Sequence, residues 1–223
     1  MHRFGTFIAA LTLGALAPFA LPAQSPTDLA EMCKVLGGAK LGQWASFDGT
    51  SGGSGGTIRL AVVGSERLGD STLYWFEVSF AGRDPAKSGV VQILTGSLVS
   101  GLESPRALVF KAGPQPAMKI SGEMAGMMGQ QGRQNTSAFD WASRCSGAHV
   151  VGWESVTVPA GTFRALHVTT DDGEVWASRD VPFGLVKTHG KQGDLALTGR
   201  GTDAKSSITE KPLEMPAIPI PKD

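Results

Sequence analysis

The chain has 223 residues, with 20 Lys and Arg against 20 Asp and Glu. A neutral chain has no field for gathering polyanions, which argues against nucleic acid as a partner. A hydrophobic content of 41% is enough for a packed core in one domain, or at most two small ones. The 30 Gly and 13 Pro are scattered singly between apolar runs, the composition of many turns and so of β-structure rather than collagen or a linker.

Residues 1–23 open with Met1, His2 and Arg3 and continue uncharged from Phe4 to the small-residue stretch Leu21-Pro22-Ala23. A basic start, an apolar middle and a small residue before the cut predict a secretory signal peptide, hence an exported protein, periplasmic or extracellular. The uncharged run is also long enough to span a bilayer. Pro18, Pro22 and its weak hydrophobicity favour cleavage and a mature chain without a transmembrane segment. Cys33 and Cys145 are the only cysteines. In an oxidising compartment they are expected to pair, and closing a loop of this length would stabilise the fold by about 4–5 kcal/mol on the chain-entropy model. Two buried free thiols are the alternative.

Ser25-Pro26-Thr27-Asp28 followed by Leu29, Met32, Cys33 and Leu36, then Gly37-Gly38, predicts a short amphipathic helix with Cys33 on its buried face. From there the period changes to two. Gln43–Phe47 and Thr57–Val63 read as strands flanking a Gly-rich coil tip, followed by Leu73–Phe80, Val90–Leu94, Leu98-Val99, Ala107–Lys111 and Met118–Ile120. Tyr74, Phe76, Val78 and Phe80 share one side of their strand. Residues 121–147 break the rhythm: Phe139, Trp141, Ala142 and Cys145, closed by Gly147, suggest a second short helix. Val158-Pro-Ala-Gly161 then joins Val150–Val158 to Thr162–Thr170 as a hairpin with Gly161 at positive φ. Glu174–Ser178 and Leu185–Thr188 follow, and Leu195–Gly199 is expected to pair with Ser206–Thr209. About ten strands joined by tight turns make an antiparallel meander, long enough to curl into a half-open barrel with two short helices as a lid. The fold class is therefore mainly β, with one domain over residues 24–210 and a Pro-rich extended tail over residues 211–223.

The strings Val158-Pro-Ala-Gly-Thr-Phe163, Glu174-Val-Trp-Ala-Ser178 and Asp180-Val-Pro-Phe-Gly-Leu-Val-Lys187 resemble the periplasmic lipoprotein-carrier (LolA/LolB-like) superfamily, nearest to its uncharacterised secreted bacterial relatives. The resemblance covers residues 150–200. It implies a half-open antiparallel barrel lidded by short helices, with an apolar cavity that accepts acyl chains in the carriers; no residue role transfers with it.

No enzyme signature survives. Gly49-Thr-Ser-Gly-Gly53 fits G-x-S-x-G in form but lacks the strand and helix that hold a nucleophile elbow. His149, His167 and His189 lack ligand spacing, and His167 reads as a strand residue facing a polar partner. Asp171-Asp172 before Gly173 is turn chemistry, and Asn135-Thr-Ser137 fits helix capping as well as a glycosylation sequon. Met118, Met124, Met127 and Met128 cluster in the expected lid. Soft thioethers could ligate Cu(I), but no His or Cys pattern supports a metal, and no cofactor is expected. Flexible Met side chains suit variable apolar ligands, and plain lid packing explains them equally well. The candidate ligand-binding residues are thus Met124, Met127, Met128 and Trp141 in the lid, with Trp75 and Trp176 lining the concavity. The expected function is non-enzymatic binding of an apolar small molecule or acylated protein. The alternative is a cell-envelope interaction domain with a filled core.

Overall fold

The computed structural model describes residues 29–33, 38–51, 54–96, 105–122, 124–127, 147–191 and 193–215. Expectations for the signal peptide, Leu98-Val99, Asn135, Trp141, Met128, Cys145 and the tail beyond residue 215 lie outside them.

Among the described residues twelve strands form one open, curled sheet: β1 (Trp44–Ser51), β2 (Ser54–Leu68), β3 (Ser71–Gly82), β4 (Gly89–Thr95), β5 (Ala107–Ala112), β6 (Met118–Ser121), β7 (His149–Val158), β8 (Gly161–Thr170), β9 (Gly173–Ala177), β10 (Leu185–Gly190), β11 (Asp194–Gly201) and β12 (Leu213–Glu214). Their order is β12-β6-β5-β4-β3-β2-β1-β11-β10-β9-β8-β7, antiparallel except for the parallel pair of β12 with β6. Among the described residues helix is found at 29–33 and 124–127, with a 3-10 turn at Pro85–Lys87.

The curl is visible in one aromatic contact. Phe76 on β3 and Phe183, in the turn before β10, have ring centroids 5.5 Å apart. β3 and β10 are four steps apart in the sheet, about 19 Å if it were flat. Bending lets one cluster gather Phe47, Leu60, Val62, Phe76, Phe163, Trp176, Phe183, Val186 and Leu197. Phe183 adopts φ 63, a left-handed conformation costly to a residue with a Cβ. Burial of its ring against Phe76 offsets that cost.

Two expectations are corrected. The Gly-rich stretch is not a coil tip, because the β1–β2 ladder runs through it, pairing Gly49 with Gly56, Thr50 with Gly55 and Ser51 with Ser54. Glycine is needed at position 49, since a Cβ there would stand 2.1 Å from the Asp194 carbonyl oxygen. Second, Ser206–Thr209 is not a strand beside β11, whose neighbours are β1 and β10. Residues 203–214 instead form a strap that crosses the face of β2–β6.

The strap is held by a buried carboxylate. Glu77 on β3 is fully buried. It accepts hydrogen bonds from the Ser207 amide (2.9 Å) and hydroxyl (2.7 Å) and from Gln92 Nε2 (2.8 Å), and it pairs with Arg59 at 3.4 Å. Burying a charge so far from water is tolerable only with such a set of donors. Further along, Ile208 packs on Val109 and Ala117, Glu210 pairs with Lys111, and Leu213–Glu214 joins β6. At the strap's start, Trp44 Nε1 donates to Asp203 at 2.8 Å.

At the other end of the sheet, the helical turn at residues 29–33 lays Met32 on Leu166, Val168 and Ala177. β8 is therefore buried on both faces, with Phe163 and Ala165 in the main cluster and Leu166 and Val168 under the helix. Cys33 is half-buried and disulfide-bonded.

Candidate functional site

Of the side chains singled out in sequence, the two described tryptophans belong to different clusters. Trp75 lies between the Leu73–Leu94–Ala107 and Val109–Ala117–Ile208 clusters, and its Nε1 donates to Glu66 at 2.8 Å. Trp176 belongs to the main cluster on the other half of the sheet. One face of its indole stacks on His167 (4.4 Å, 17°), Lys187 Nζ sits 4.8 Å from the ring centroid, and Nε1 donates to Glu154. Little of that ring is left for a ligand. His167 faces polar partners as its alternation suggested, with Nδ1 3.5 Å from Glu154 and Nε2 3.4 Å from Glu174. In the 124–127 turn Met124 is half-buried and Met127 exposed. Met128, Trp141 and Cys145 fall outside the described residues. No group of three or more His, Cys, Asp or Glu among the described residues could hold a metal, and no described helix is long and apolar enough to cross a membrane.

Two open grooves offer what those residues do not. The first encloses about 790 Å³. Its floor is a cross-strand row in register, Ser46–Arg59–Ser79–Val90–Lys111, running over β1 to β5 on the same face as Glu77. Ser207 of the strap, Pro85 and Ala86 of the 3-10 turn, and Pro114 form its walls. Asp84 caps the 3-10 turn by accepting from the Ala86 amide, and the Gly113 amide donates to the Ser88 carbonyl at 2.8 Å, so two walls are tied together. Phe80 also borders the groove, its side chain leaving β3 on the face opposite Ser79, and is 44% exposed. Its ring lies over Gly89, where a Cβ would come within 2.5 Å of it. The lining is mostly apolar, with hydroxyls from Ser46 and Ser79 and cations from Arg59 and Lys111 along the floor and the Thr57 hydroxyl beside them. Such a mixture suits a molecule with an apolar body and a polar end.

The second groove, about 890 Å³, is built by the hairpin and proline-turn strings that stood out in the sequence. Ala160 of the β7–β8 turn and Val181, Pro182 and Phe183 meet there, with Thr198–Thr202 along one side and Lys40, Arg179, Asp180 and Arg200 around it. The turn is locked by hydrogen bonds from the Ser178 amide to Gly184 (2.8 Å) and from the Gly184 amide to Val181 (2.9 Å). Sequence reasoning missed both grooves because each is closed by segments distant in the chain. For the first, the alternation of Arg59 with Ile58 and Leu60 carried a partial signal.

No family model and no curated protein matches the chain. Among solved structures it is similar to MucB, with a TM-score of 0.44 and 15% identity over 82% of this chain and 60% of that one. The chain thus spans less than two thirds of the MucB chain. It is also similar to a protein from Parabacteroides distasonis ATCC 8503 described as a candidate lipoprotein (TM-score 0.37, 12% identity, 76% of this chain and 99% of that one). A third is a candidate exported protein with YmcC-like fold from Bacteroides fragilis NCTC 9343 (TM-score 0.35, 11% identity, 73% and 97%). At these scores the likenesses carry no statement about ligand, partner or activity.

Proposed function

We propose that the chain is an exported, non-enzymatic binding domain whose first groove takes an apolar or amphipathic ligand, a lipid or the acyl chain of a modified protein. The observation that supports this reading is the mostly apolar lining of that groove over a rigid in-register floor, along which the hydroxyls of Ser46 and Ser79 and the cations of Arg59 and Lys111 are set. Its volume lies within the roughly 300–1,000 Å³ typical of small-molecule sites. The strap and the 3-10 turn pre-form the walls, so little ordering entropy opposes binding. We place the disulfide of Cys33 with Cys145, the chain's other cysteine, which non-reducing peptide mapping tests directly.

Displacement of a fluorescent fatty acid from the mature protein is the deciding experiment. Ser79→Trp places an indole on the groove floor between Arg59 and Val90 and should weaken binding about tenfold by occupying the ligand's space. Absence of saturable binding sinks the reading. So does unchanged affinity in Ser79→Trp alongside loss in a Met124/Met127/Met128→Ala triple variant, which would move the ligand beneath the methionine segment. A second reading, an interaction domain of the cell envelope with a filled core, draws support from the dense packing around Trp176 and Phe183.

A further inference from the structure

We infer that the second groove is a strand-docking site for an extended acidic segment of a partner protein. This goes beyond the lipid-type reading of the first groove and does not depend on it. The argument starts from an unused sheet edge. β11 pairs with β1 from Asp194 to Gly201, with a bulge at Thr198. On its other side β10 pairs with it only through Lys187 opposite Ala196 and Thr188 opposite Leu195. One residue further on, the Leu197 carbonyl accepts from the Ala160 amide at 3.1 Å. Beyond that point no described strand pairs with the outer edge of Thr198–Gly201, and those residues line the groove. β10 cannot extend to cover them, because it begins only at Leu185 after the Pro182–Gly184 turn, and Pro182 has no N–H to donate. A bare edge of four residues, about 13 Å long, is what an added strand needs.

Charge selects the partner. Arg179, Arg200 and Lys40 line the groove against one carboxylate, Asp180, in a chain that is neutral overall. Arg200 is held in place without being neutralised: its guanidinium lies 5.2 Å from the centroid of the Phe163 ring and donates to the backbone carbonyl of Asp180. Neither contact is to a carboxylate group, so a pre-oriented guanidinium with donors to spare faces the groove. Arg179 is already paired with Glu31. Lys40 stands on a turn fixed by the Gln43 side chain, whose Oε1 accepts from the Lys40 amide at 2.8 Å. An extended peptide would pair its backbone with residues 198–201 and set alternate carboxylates against Arg200 and Lys40. Main-chain bonds would give affinity, and the cations would choose the sequence.

The test uses the full mature chain and a pool of eight-residue peptides with Asp or Glu at alternate positions and Val, Thr or Ile between. Two control pools carry Lys in place of the acids, or Pro at the alternate positions that would donate to the edge. Saturable binding of the acidic pool, at least tenfold tighter than either control and weakened by salt, is expected. Amides of residues 198–201 should gain protection from hydrogen exchange in the complex. Arg200→Glu should weaken binding tenfold or more, and Lys40→Glu with Arg179→Glu, both on the surface, should do the same if Arg200→Glu disturbs packing on Phe163. Equal binding of acidic and basic pools, or no gain in protection at residues 198–201, overturns the proposal. Binding of phosphatidylglycerol vesicles with no peptide bound likewise overturns it, assigning the face to a membrane. Fatty-acid displacement at the first groove is unaffected by either result, so the two proposals fail separately.

Discussion

The strap over β3–β5 and the helical turn over β8–β9 do the same job by opposite means. Each covers one face of the sheet, so that the strands beneath are buried on both sides. The strap is located by a buried carboxylate: Glu77 takes hydrogen bonds from both the amide and hydroxyl of Ser207, contacts a one-residue slip would lose. The helical turn is located by Met32, fully buried on Leu166, Val168 and Ala177. A flexible thioether fits a patch of many shapes, so it secures the cover without dictating its register. Polar burial specifies position, apolar burial supplies adhesion, and the wall of the first groove is built by the specifying kind.

That contrast can be broken most forcefully at Glu77. Replacing it with Ala leaves Arg59, Gln92 and the Ser207 amide without their shared acceptor, and should destabilise the chain by about 3–5 kcal/mol in urea unfolding. A loss below roughly 1 kcal/mol would mean that the strap does not depend on its key. Met32→Ala should cost less, about 2 kcal/mol, at the lower end of large-to-small core changes, because a short helical turn can settle into the space. Equal losses at the two sites would erase the distinction.

The smallest effect is expected from acid. Trp44 holds the Asp203 carboxyl below its ordinary 3.8 through the indole hydrogen bond, and Lys111 holds Glu210 below 4.5 the same way. Both values are depressed on folding, so their contribution is present above the ordinary values and is lost as pH falls through the lowered ones. Both groups are exposed, so the global transition should barely move while the strap loosens at its two ends. A change in tryptophan emission below about pH 4, abolished by Asp203→Asn, checks this at the Trp44 end. An unaltered emission titration in that variant would place the acid response elsewhere.

How much of this could be read from the chain depended on range. Ile58, Leu60 and Val62 alternate against Arg59 and Ala61, and Val158-Pro-Ala-Gly161 is a turn by its own chemistry, so strands and hairpins were legible. Ser206-Ser-Ile-Thr209 alternates just as well, and by local rules it was a strand. What made it a strap is Glu77, some 130 positions away, in a run of Tyr, Trp and Phe that offers no sign of a buried charge. The Gly-rich stretch misled for a related reason. Glycine there reflects the close approach of β11 to β1, a neighbour that no local window contains. Trp75 and Trp176 were chosen as large apolar rings, yet their surroundings are set by Glu66, His167, Lys187 and Glu154, whose positions follow from the register.

Sequence alone determined that this protein is a β meander, where most of its turns fall and that a short helix precedes it, because side-chain period, Pro and Gly act over a few residues. Only the tertiary structure decided that the sheet curls far enough for Phe183 to reach Phe76, which face the strap covers, and where the grooves open. Those outcomes depend on contacts between segments a hundred or more residues apart, and a carboxylate or a strand edge acquires its meaning only from what lies against it.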